Sequence, residues 1–441
     1  MARDKRKNVF IGFEEIGGNL TKIATEFKSQ GFDCYCLLLG KYKFGTDVVL
    51  EQKKCIFSLY SFFFQKLTEQ KSFFMKGLYA ILSGFCSVLS LIYALVKYDN
   101  FIFDFNTSFF SKLPVVNKYC LLAYFDLRIL HFFKKNVIMW YMGSDSRPPY
   151  ISGRFKDENI VEIVRLTKKI YDRVQLVEKY CTYTIDNPAQ AHFHKKKYVM
   201  FQAVGIPISE RFIREKVRDE KVNSAIRIVH APSAPEIKGT DQIRDIIERI
   251  RSIGYKIEYV EIIKKMHEEV MKELSVADIV IDEVYADSPL GGLGTEAAIN
   301  RVPTVTSGYF ASYAKEILGE LMPPSCYCVP DNLEKELRDL IDNKEKRISL
   351  GKKAYEFVTE NWSTEQVVQK FVQIINNDVP DDWYYDPYIC EYPYGEGISK
   401  TDLKRVIKRL IKEVGLNGLY INDKPKLLNK YMQLCDEKNV I

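Results

Sequence analysis

A short segment that combines small residues, prolines and one lysine is the first candidate for chemistry: residues 230–240, which read HAPSAPEIKGT. It follows an apolar run that predicts a strand, Ile226 to His230, and precedes a helical pattern that begins at Asp241. A lysine beside a helix N-terminus offers a phosphate both a point charge and oriented backbone N–H groups. The segment favours a phosphate site at Lys238, although a Lys-Gly pair before a helix is also common in surface loops.

A glycine-rich segment, residues 282–306, is the second candidate. It reads DEVYADSPLGGLGTEAAINRVPTVT and follows an apolar strand pattern. We expect a short helix to begin near Glu296, whose carboxylate could accept hydrogen bonds from both hydroxyls of a ribose. Gly291 and Gly292 leave room for a diphosphate. Because ligands of α/β sheets bind at the carboxyl ends of the strands, Lys238 and Glu296 are predicted to line one pocket.

A third candidate is the loop GSDSR, Gly143 to Arg147, directly after a strand pattern at Asn136 to Trp140. Asp145 and Arg147 could orient an acceptor hydroxyl or a phosphate. The alternative is an Asp–Arg pair that only braces the loop.

Near the start of the chain, Gly17 and Gly18 separate a predicted strand, Val9 to Phe13, from a predicted helix, Leu20 to Gln30. Two glycines allow a ligand to approach the backbone at a helix N-terminus, where the dipole favours anions. A plain tight turn is the alternative.

The histidines and cysteines do not indicate a metal site. His192 and His194 lie in HFHKKK and are expected on a solvated surface, and the ten cysteines lack the spacing of zinc ligands. We expect buried free thiols in a reducing cytosol. No Asp-x-Asp in the context of a metal-dependent transferase, no Ser-His-Asp arrangement and no Walker lysine occurs in the sequence.

The elements that must position these residues alternate between strand and helix in two successive halves, which a charged segment at 209–223 separates as a predicted linker. With 441 residues, 46% of them hydrophobic and 28% charged, the chain has the composition of a globular protein of two domains. The pattern predicts two doubly wound α/β domains with a cleft between them. A net charge of +6 is too small to imply a nucleic-acid partner.

Two further segments raise the question of a membrane. Residues 77–96 carry no charge and could span a bilayer, but a strand pattern follows at once, so we expect a buried or membrane-touching helix and keep a true span as the alternative. A predicted helix at 400–414 has a basic face that is either solvated or drawn to an anionic membrane surface. That face holds Lys404, Arg405, Lys408, Arg409 and Lys412. The first residues lack the apolar core of a secretory signal, so we expect a cytoplasmic protein, either free or peripheral on the inner face of the membrane.

Residues 226–375 resemble the donor domain of the GT-B glycosyltransferases, specifically the retaining family 4. The resemblance rests on the lysine–glycine loop, the strand ADIVID, the glycine loop, the turn EAAINRVPTV and the segment GKKAYEFVTENWS. It implies the GT-B fold: two Rossmann-like, doubly wound parallel-sheet domains facing each other across a cleft, with a helical C-terminal extension. The boundaries we expect are 1–205 for the acceptor-side domain, 206–377 for the donor domain and 378–441 for an extension that packs back on the first domain.

The resemblance implies a nucleotide-diphosphate sugar as co-substrate, no other cofactor, no metal, and a glycan or lipid-linked acceptor. It assigns donor phosphates to Lys238 and the ribose to Glu296. The full candidate set is Gly17, Gly18, Ser233, Lys238, Gly291, Gly292, Thr295 and Glu296 for the donor, and Asp145 and Arg147 for catalysis.

The chain departs from the family pattern at three positions. Ser233 stands where an arginine is usual, and Ser288 stands where a second glutamate is usual. A divergent subgroup that reads HAPS…KGT and YGG…EA is closer, but Met142 replaces the histidine of its HGSD-x-R motif. These departures leave a catalytically inactive relative, serving as a binding or partner subunit, as the alternative function.

Overall fold

The computed structural model describes residues 7–40, 55–114, 116–208 and 225–436. The predicted linker at 209–223 lies outside the described residues. Within them the chain forms two parallel β-sheets, each covered by helices on both faces, followed by a C-terminal extension that returns to the first sheet.

The first domain alternates strands and helices from the start. Its strands are β1 (Asn8–Phe13), β2 (Asp33–Leu38), β3 (Asn100–Asp104), β4 (Asn136–Trp140), β5 (Tyr183–Asp186) and β6 (Tyr198–Met200). Its helices are α1 (Asn19–Ser29), α2 (Cys55–Glu69), α3 (Phe73–Lys97), α4 (Cys120–Ala123), α5 (Phe125–Phe132), α6 (Ile160–Tyr180) and α7 (Phe201–Val204). Strands β1 and β3 are buried along their whole length, which explains why their sequences are continuously apolar rather than alternating.

The second domain repeats the arrangement. Its strands are β7 (Ile226–His230), β8 (Ile257–Glu261), β9 (Ile279–Ile281), β10 (Thr304–Ser307) and β11 (Cys326–Cys328). The helices are α8 (Pro235–Lys238), α9 (Thr240–Ser252), α10 (His267–Leu274), α11 (Gly292–Ile299), α12 (Ala311–Leu318), α13 (Leu333–Asp342), α14 (Lys344–Asn361) and α15 (Thr364–Ile375). Neighbouring residues on one strand face opposite sides of the sheet: Ile228 belongs to one apolar core and Val229 to the other.

The C-terminal extension contains β12 (Tyr384–Tyr385), α16 (Lys400–Val414) and α17 (Pro425–Asp436). Strand β12 pairs antiparallel with β6, so the extension adds an edge strand to the first sheet. Helix α16 follows the N-cap Ser399, whose hydroxyl accepts a hydrogen bond from Asp402 N.

The return to the first domain starts earlier than the predicted boundary at 377. Helix α15, which that boundary assigns to the donor domain, places Val368 and Phe371 in the apolar core of the first domain. Phe371 packs edge-on against Trp140 of β4, with ring centroids 5.2 Å apart. The cause is the apolar stripe of α15, which finds cover on the first domain.

The strand orders place a crevice in each sheet. They are β12-β6-β5-β4-β3-β1-β2 in the first sheet and β11-β10-β9-β7-β8 in the second. The order reverses between β1 and β3 and between β7 and β9, and such switch points are where α/β sheets bind ligands. Loops after these four strands lead to the cavity described next.

Candidate nucleotide-binding cleft

A cavity of about 420 Å³ lies between the two domains, and residues of both domains and of the extension line it. From the second domain come Ser233, Lys238, Gly291, Gly292, Thr295 and Glu296, and from the first Gly17 and Arg147. Lys238 and Glu296 therefore line one pocket, although they lie far apart in the sequence. Gly18 and Asp145 are not among the lining residues.

A buried histidine, His230, fixes the loop that carries Lys238. His230 Nδ1 lies 2.9 Å from the carbonyl oxygen of Ile281, and Nε2 lies 2.9 Å from Thr240 Oγ1. A carbonyl only accepts, so Nδ1 carries the proton and Nε2 accepts from the threonine hydroxyl. Gly239 then turns the chain at φ +73°, where a Cβ would lie 2.6 Å from Val284. The loop thus requires glycine at this position, which holds Lys238 at the end of β7.

Lys238 is held as a cation by two carboxylates from different parts of the chain. Its Nζ lies 3.0 Å from Glu283 Oε1 and 3.4 Å from Glu396 Oε1. Burial opposes the charge, but Glu283, Asp282 and Glu396 outweigh it and raise the pKa of Lys238. The side chain keeps 19% of its surface exposed, and it lines the cavity.

Arg147 closes the cleft instead of standing free in it. Its Nε and Nη2 donate to the two carboxylate oxygens of Asp287 in the second domain, at 2.6 and 2.9 Å, and Nη1 donates to Glu396 at 2.7 Å. Burial opposes this charge too, but Asp287 and Glu396 outweigh it and raise the pKa of Arg147 above its usual range. This bidentate pair clamps the two domains together.

The charges around Arg147 and Lys238 do not balance one to one. Three carboxyl groups, those of Asp287, Glu396 and Glu283, face two cations. Burial alone would raise the pKa of Glu396, but Arg147 and Lys238 lower it to about 2. Burial and the negative charge of Glu396 raise the pKa of Glu283 to about 8, although the positive charge of Lys238 acts in the opposite direction. Of the two glutamates, Glu283 is thus the one whose pKa is raised.

Asp145 does not pair with Arg147. Its Oδ1 accepts a hydrogen bond from Met142 N at 3.0 Å, which ties the ends of the loop together. Burial raises the pKa of Asp145 to about 7, and Asp186 adds to the effect. The alternative of an Asp–Arg brace is wrong, because Asp287 and Glu396 take the guanidinium; that Asp145 and Arg147 orient an acceptor hydroxyl or a phosphate stays a prediction.

Helix α11 begins at Gly292, four residues before the predicted start at Glu296. The Thr295 hydroxyl donates to Gly291 O at 2.9 Å and fixes the first turn. A Cβ on Gly292 would meet no atom within 4 Å, so the backbone is open here to an approaching group. The first-turn N–H groups of α11 therefore face the cavity, where an anion would be stabilised.

Glu296 lies in the second turn of α11 and meets a residue that the sequence did not single out. Its Oε1 lies 2.7 Å from His267 Nε2, at the start of α10. About a quarter of the Glu296 side chain is exposed to the cavity. One oxygen thus has a fixed partner, and the carboxylate is oriented before any ligand arrives.

The Gly17–Gly18 turn leads into helix α1, and its role in donor binding stays a prediction. Both glycines have positive φ, +63° and +74°, but the N-terminus of α1 is already occupied by the protein's own anion. Glu15 accepts hydrogen bonds from Leu20 N and Thr21 N at 3.2 and 3.0 Å. The helix dipole is therefore used by Glu15, although Gly17 still lines the cavity.

His192 and His194 are buried, so the prediction of a solvated surface is wrong. His194 lies between Glu178 Oε1 and Asp186 Oδ2, at 2.8 and 2.9 Å. Burial opposes its charge, but these hydrogen bonds raise the pKa of His194 to about 9. Burial lowers the pKa of His192 to about 3, and its Nε2 lies 2.7 Å from the Tyr431 hydroxyl. The neighbouring lysines in the sequence suggested an exposed segment, but both histidines lie in a turn that the C-terminal extension covers.

Residues missed by the sequence analysis differ in how much signal they carried. Glu283 directly follows a predicted strand end, a position that often holds ligand-binding groups. Lys22 also lines the cavity, where its Nζ donates to Gly17 O and Pro207 O, both at 3.1 Å. Glu396 had no local signal, because it lies in an irregular segment and reaches the cleft only through the fold. Among the described residues, no group of three or more His, Cys, Asp or Glu side chains is arranged to hold a metal.

Comparison with known proteins identifies the architecture. No protein-family model matches the chain, and no curated protein does either. Among solved structures, the catalytic domain of starch synthase IV from Arabidopsis thaliana, bound to ADP and acarbose, is similar with a TM-score of 0.50 and 10% identity over 84% of this chain and 99% of that one. Sucrose-phosphate synthase from Thermosynechococcus elongatus gives 0.48 and 10% over 84% and 98%. The Anabaena protein HepE with UDP-glucose gives 0.45 and 10% over 84% and 99%.

At this level of identity the likeness concerns the fold. The two facing Rossmann-like domains, with seven and five strands and C-terminal helices, are the GT-B fold, and the prediction of that fold from the sequence is confirmed.

Proposed function

We propose that the protein is a glycosyltransferase that moves a sugar from a nucleotide-diphosphate donor to a hydroxyl acceptor. The observation that carries the proposal is the interdomain cavity, where a constrained cation, an oriented carboxylate and an open helix N-terminus converge. Lys238, Glu296 and Gly292 provide these three groups, and all three line the cavity.

The three groups match the parts of a nucleotide-diphosphate sugar. Lys238 and the first-turn N–H groups of α11 suit a diphosphate, because both supply positive potential without a metal. The Glu296 carboxylate suits the paired hydroxyls of a ribose, since carboxylate oxygens only accept hydrogen bonds at neutral pH. The starch synthase with the similar fold holds ADP, a ligand of the same chemical class.

In the proposed reaction, the bond between the anomeric carbon and the diphosphate oxygen breaks, and a bond from that carbon to the acceptor oxygen forms. The acceptor's hydroxyl proton leaves on the nucleoside diphosphate. Lys238 stabilises the charge that develops on the departing diphosphate, an interaction that grows as the bond breaks. Retention of configuration is what the resemblance to family 4 implies, and the acceptor we propose is a glycan or a lipid-linked sugar at the cytoplasmic face of a membrane.

Binding and turnover test the proposal together. Titration calorimetry with UDP, ADP and GDP is expected to show one nucleoside diphosphate that binds at a single site, and the matching nucleotide sugar is expected to be hydrolysed or transferred. Glu296→Gln weakens that binding by about tenfold, because a neutral amide accepts hydrogen bonds from hydroxyls less strongly. Glu360→Gln, an exposed glutamate of the same domain, is the control. Equal affinity of the two variants for the nucleotide contradicts the assignment of Glu296.

A second candidate function is a catalytically inactive partner subunit that binds nucleotide sugars. The observation in its favour is that Arg147 is consumed by the interdomain clamp, while Met142 stands where the related motif has a histidine. Nucleotide binding without any donor consumption, measured with a panel of nucleotide sugars, would favour this function. Release of nucleoside diphosphate with turnover favours the transferase.

A further inference from the structure

In helix α3 of the first domain, large apolar side chains face outward and small or polar ones face the core, which is the reverse of an ordinary surface helix. It runs for 25 residues, Phe73–Lys97, with a mean hydropathy of 2.0 in its most apolar stretch. Its buried residues are mostly small or polar: Ser83, Cys86, Ser87, Ser90, Leu91 and Ala94. Its large apolar residues are exposed: Phe73, Phe74, Leu78, Ile81, Phe85, Val88, Ile92, Tyr93 and Val96. Phe74 and Val96, near the two ends, expose 79% and 75% of their surfaces, so the apolar stripe runs the whole length.

The buried face attaches α3 firmly to the domain. Ser87 Oγ donates to Phe109 O at 2.8 Å, and Tyr60 of the neighbouring helix α2 donates to the same carbonyl at 2.7 Å. Strand β3 then begins three residues after α3 ends. A helix tied in this way cannot leave the domain to cross a bilayer without breaking these contacts, but its outer stripe is free to meet an apolar phase.

Helices α4 and α5 extend the apolar surface on the other side of the same loop, residues 105–114. Asp126 of α5 accepts hydrogen bonds from Ser108 Oγ at 3.1 Å and Phe110 N at 3.3 Å. The exposed large side chains of this part are Tyr119, Leu121, Leu122, Phe125, Phe132 and Phe133. The stripe of α3 and these residues together are called the apolar face below. It holds fifteen exposed large apolar side chains, whereas soluble surfaces normally show such residues singly.

The charged residues around the apolar face are almost all cationic. Segments 55–97 and 116–135 contain eight cations: Lys66, Lys71, Lys76, Lys97, Lys118, Arg128, Lys134 and Lys135. Lys97 and Lys135 pair with Asp33 and Asp99. The same segments contain two acidic residues, Glu69, which pairs with Lys66, and Asp126, which is buried. A second copy of this face would therefore meet like charge, whereas an anionic lipid surface complements it.

We propose that the first domain docks on an anionic lipid bilayer through this apolar face, with α3 lying in the plane of the interface. The large side chains enter the boundary between headgroups and acyl chains, and the surrounding cations contact lipid phosphates. Helix α16 shows the ordinary arrangement by contrast: Leu403, Val406, Ile407 and Leu410 are buried, and Arg405 already pairs with Asp157 at 2.8 Å. Docking goes beyond the proposed transfer and does not depend on it.

Docking would place the cleft near the membrane. Loop 105–114, which anchors both helix pairs, begins with Phe105, and Phe105 lines the cavity. An acceptor embedded in the bilayer by a lipid tail would then have a short path to the cleft.

Vesicle flotation with the whole protein tests the proposal. The probes are vesicles of phosphatidylcholine mixed with phosphatidylglycerol, and of phosphatidylcholine alone. The triple variant Ile81→Ser, Phe85→Ser and Ile92→Ser is expected to bind the anionic vesicles about 100-fold more weakly than the unaltered protein. The matched control, Ile253→Ser, Ile348→Ser and Ile389→Ser, removes three exposed apolar side chains elsewhere and is expected to bind normally.

Each other outcome of the flotation experiment overturns the proposal. If both triple variants bind the vesicles equally, the apolar face is not the membrane-binding surface. The same holds if binding disappears only when the five α16 cations are replaced by Gln. A protein that floats with neither vesicle but is a dimer by light scattering, and a monomer in the α3 variant, has a second copy as the occupant. Unchanged circular dichroism and melting temperature confirm that the α3 variant is folded.

Depth measurements separate a helix that lies in the interface from one that crosses the bilayer. Phe74→Trp, Phe85→Trp and Val96→Trp are made singly, and fluorescence quenching is measured with lipids brominated near the headgroup or near the chain end. Of the three native tryptophans, Trp140 and Trp362 are buried and Trp383 is half-buried in the extension, so the quenching of the unaltered protein is subtracted as the background. Docking predicts similar, shallow quenching at all three positions. Deep quenching at position 85 alone shows a spanning helix and overturns the proposal.

Discussion

The two walls of the cleft contain similar residue types but use them differently. On the first-domain wall, Arg147 is consumed by Asp287 and Glu396, and Glu15 occupies the N-terminus of α1. On the second-domain wall, Lys238 and Glu296 have fixed partners yet keep exposed surface. The charged groups of the first-domain wall thus make contacts within the protein, whereas those of the second-domain wall can still contact a ligand. A charged residue in a cleft therefore indicates ligand binding only when its partners within the protein leave part of it exposed.

The difference predicts that changes on the first-domain wall mainly affect stability. Arg147→Met leaves Asp287 buried without its cation and Glu396 with only Lys238, and it is expected to lower the free energy of unfolding by about 3–5 kcal/mol. Urea denaturation measures the loss. Adding Asp287→Asn to Arg147→Met is expected to recover part of it, because one uncompensated charge is removed. An unaltered urea midpoint for the single variant would show that the clamp is not formed in solution.

A buried histidine of the first domain, behind the cleft, should give the protein a stability that falls at alkaline pH. The pKa of His194 rises from 6.5 to about 9 on folding, so the bound proton stabilises the native state. This contribution, about 3 kcal/mol, is complete below pH 6.5 and disappears as the pH rises through 9. Unfolding free energies measured between these values are expected to fall for the native protein and to stay level for His194→Gln. Parallel slopes for both proteins would contradict the assignment.

Changes on the second-domain wall should affect ligand binding more than stability. Lys238→Met is expected to weaken nucleoside-diphosphate binding by about 2 kcal/mol, or about 30-fold in Kd, because a charge-assisted contact is lost. The effect on the fold is expected to be smaller, since Glu396 keeps Arg147 as its partner and the raised pKa of Glu283 eases its protonation when the lysine is removed. Calorimetry gives the affinity, with the exposed Lys256→Met as the control. If Lys238→Met caused a large loss of stability without a loss of affinity, Lys238 would be structural like Arg147, and the proposed difference between the two walls would be wrong.

The smallest expected effect is at the start of α11. Gly292→Ala places a methyl group in open space, so the unfolding free energy should change by less than about 0.5 kcal/mol while the affinity for a diphosphate falls a few-fold. Gly294→Ala is the contrast, because its Cβ would lie 2.5 Å from Leu290 Cδ1 and must destabilise the turn. Thermal melting and nucleotide titration of both variants distinguish the two glycines.

Sequence patterns predicted those parts of the molecule that local periodicity determines. Strands β4 and β7 and helix α16 have the predicted limits, and β1 and α1 start within one residue of them. The start of α11 was missed because glycines carry no helical signal, yet here the N–H groups of those glycines form the first turn. Glu396 could not be found in the sequence, since its contact with Arg147 joins residues 249 positions apart. The burial of His194 depends likewise on Lys424 of the distant extension, whose Nζ donates to His194 O.

The return of the chain to its first sheet has a consequence for synthesis on the ribosome. Strand β12 completes the sheet that β1 began, and α15, α16 and α17 bury apolar residues in the same core. While the second domain emerges, the first therefore has an unpaired edge at β6 and an uncovered core, the kind of exposed surface that makes partly folded chains prone to aggregation. The domain made first is thus finished last, and a nascent chain that pauses before α15 emerges will depend most on chaperones.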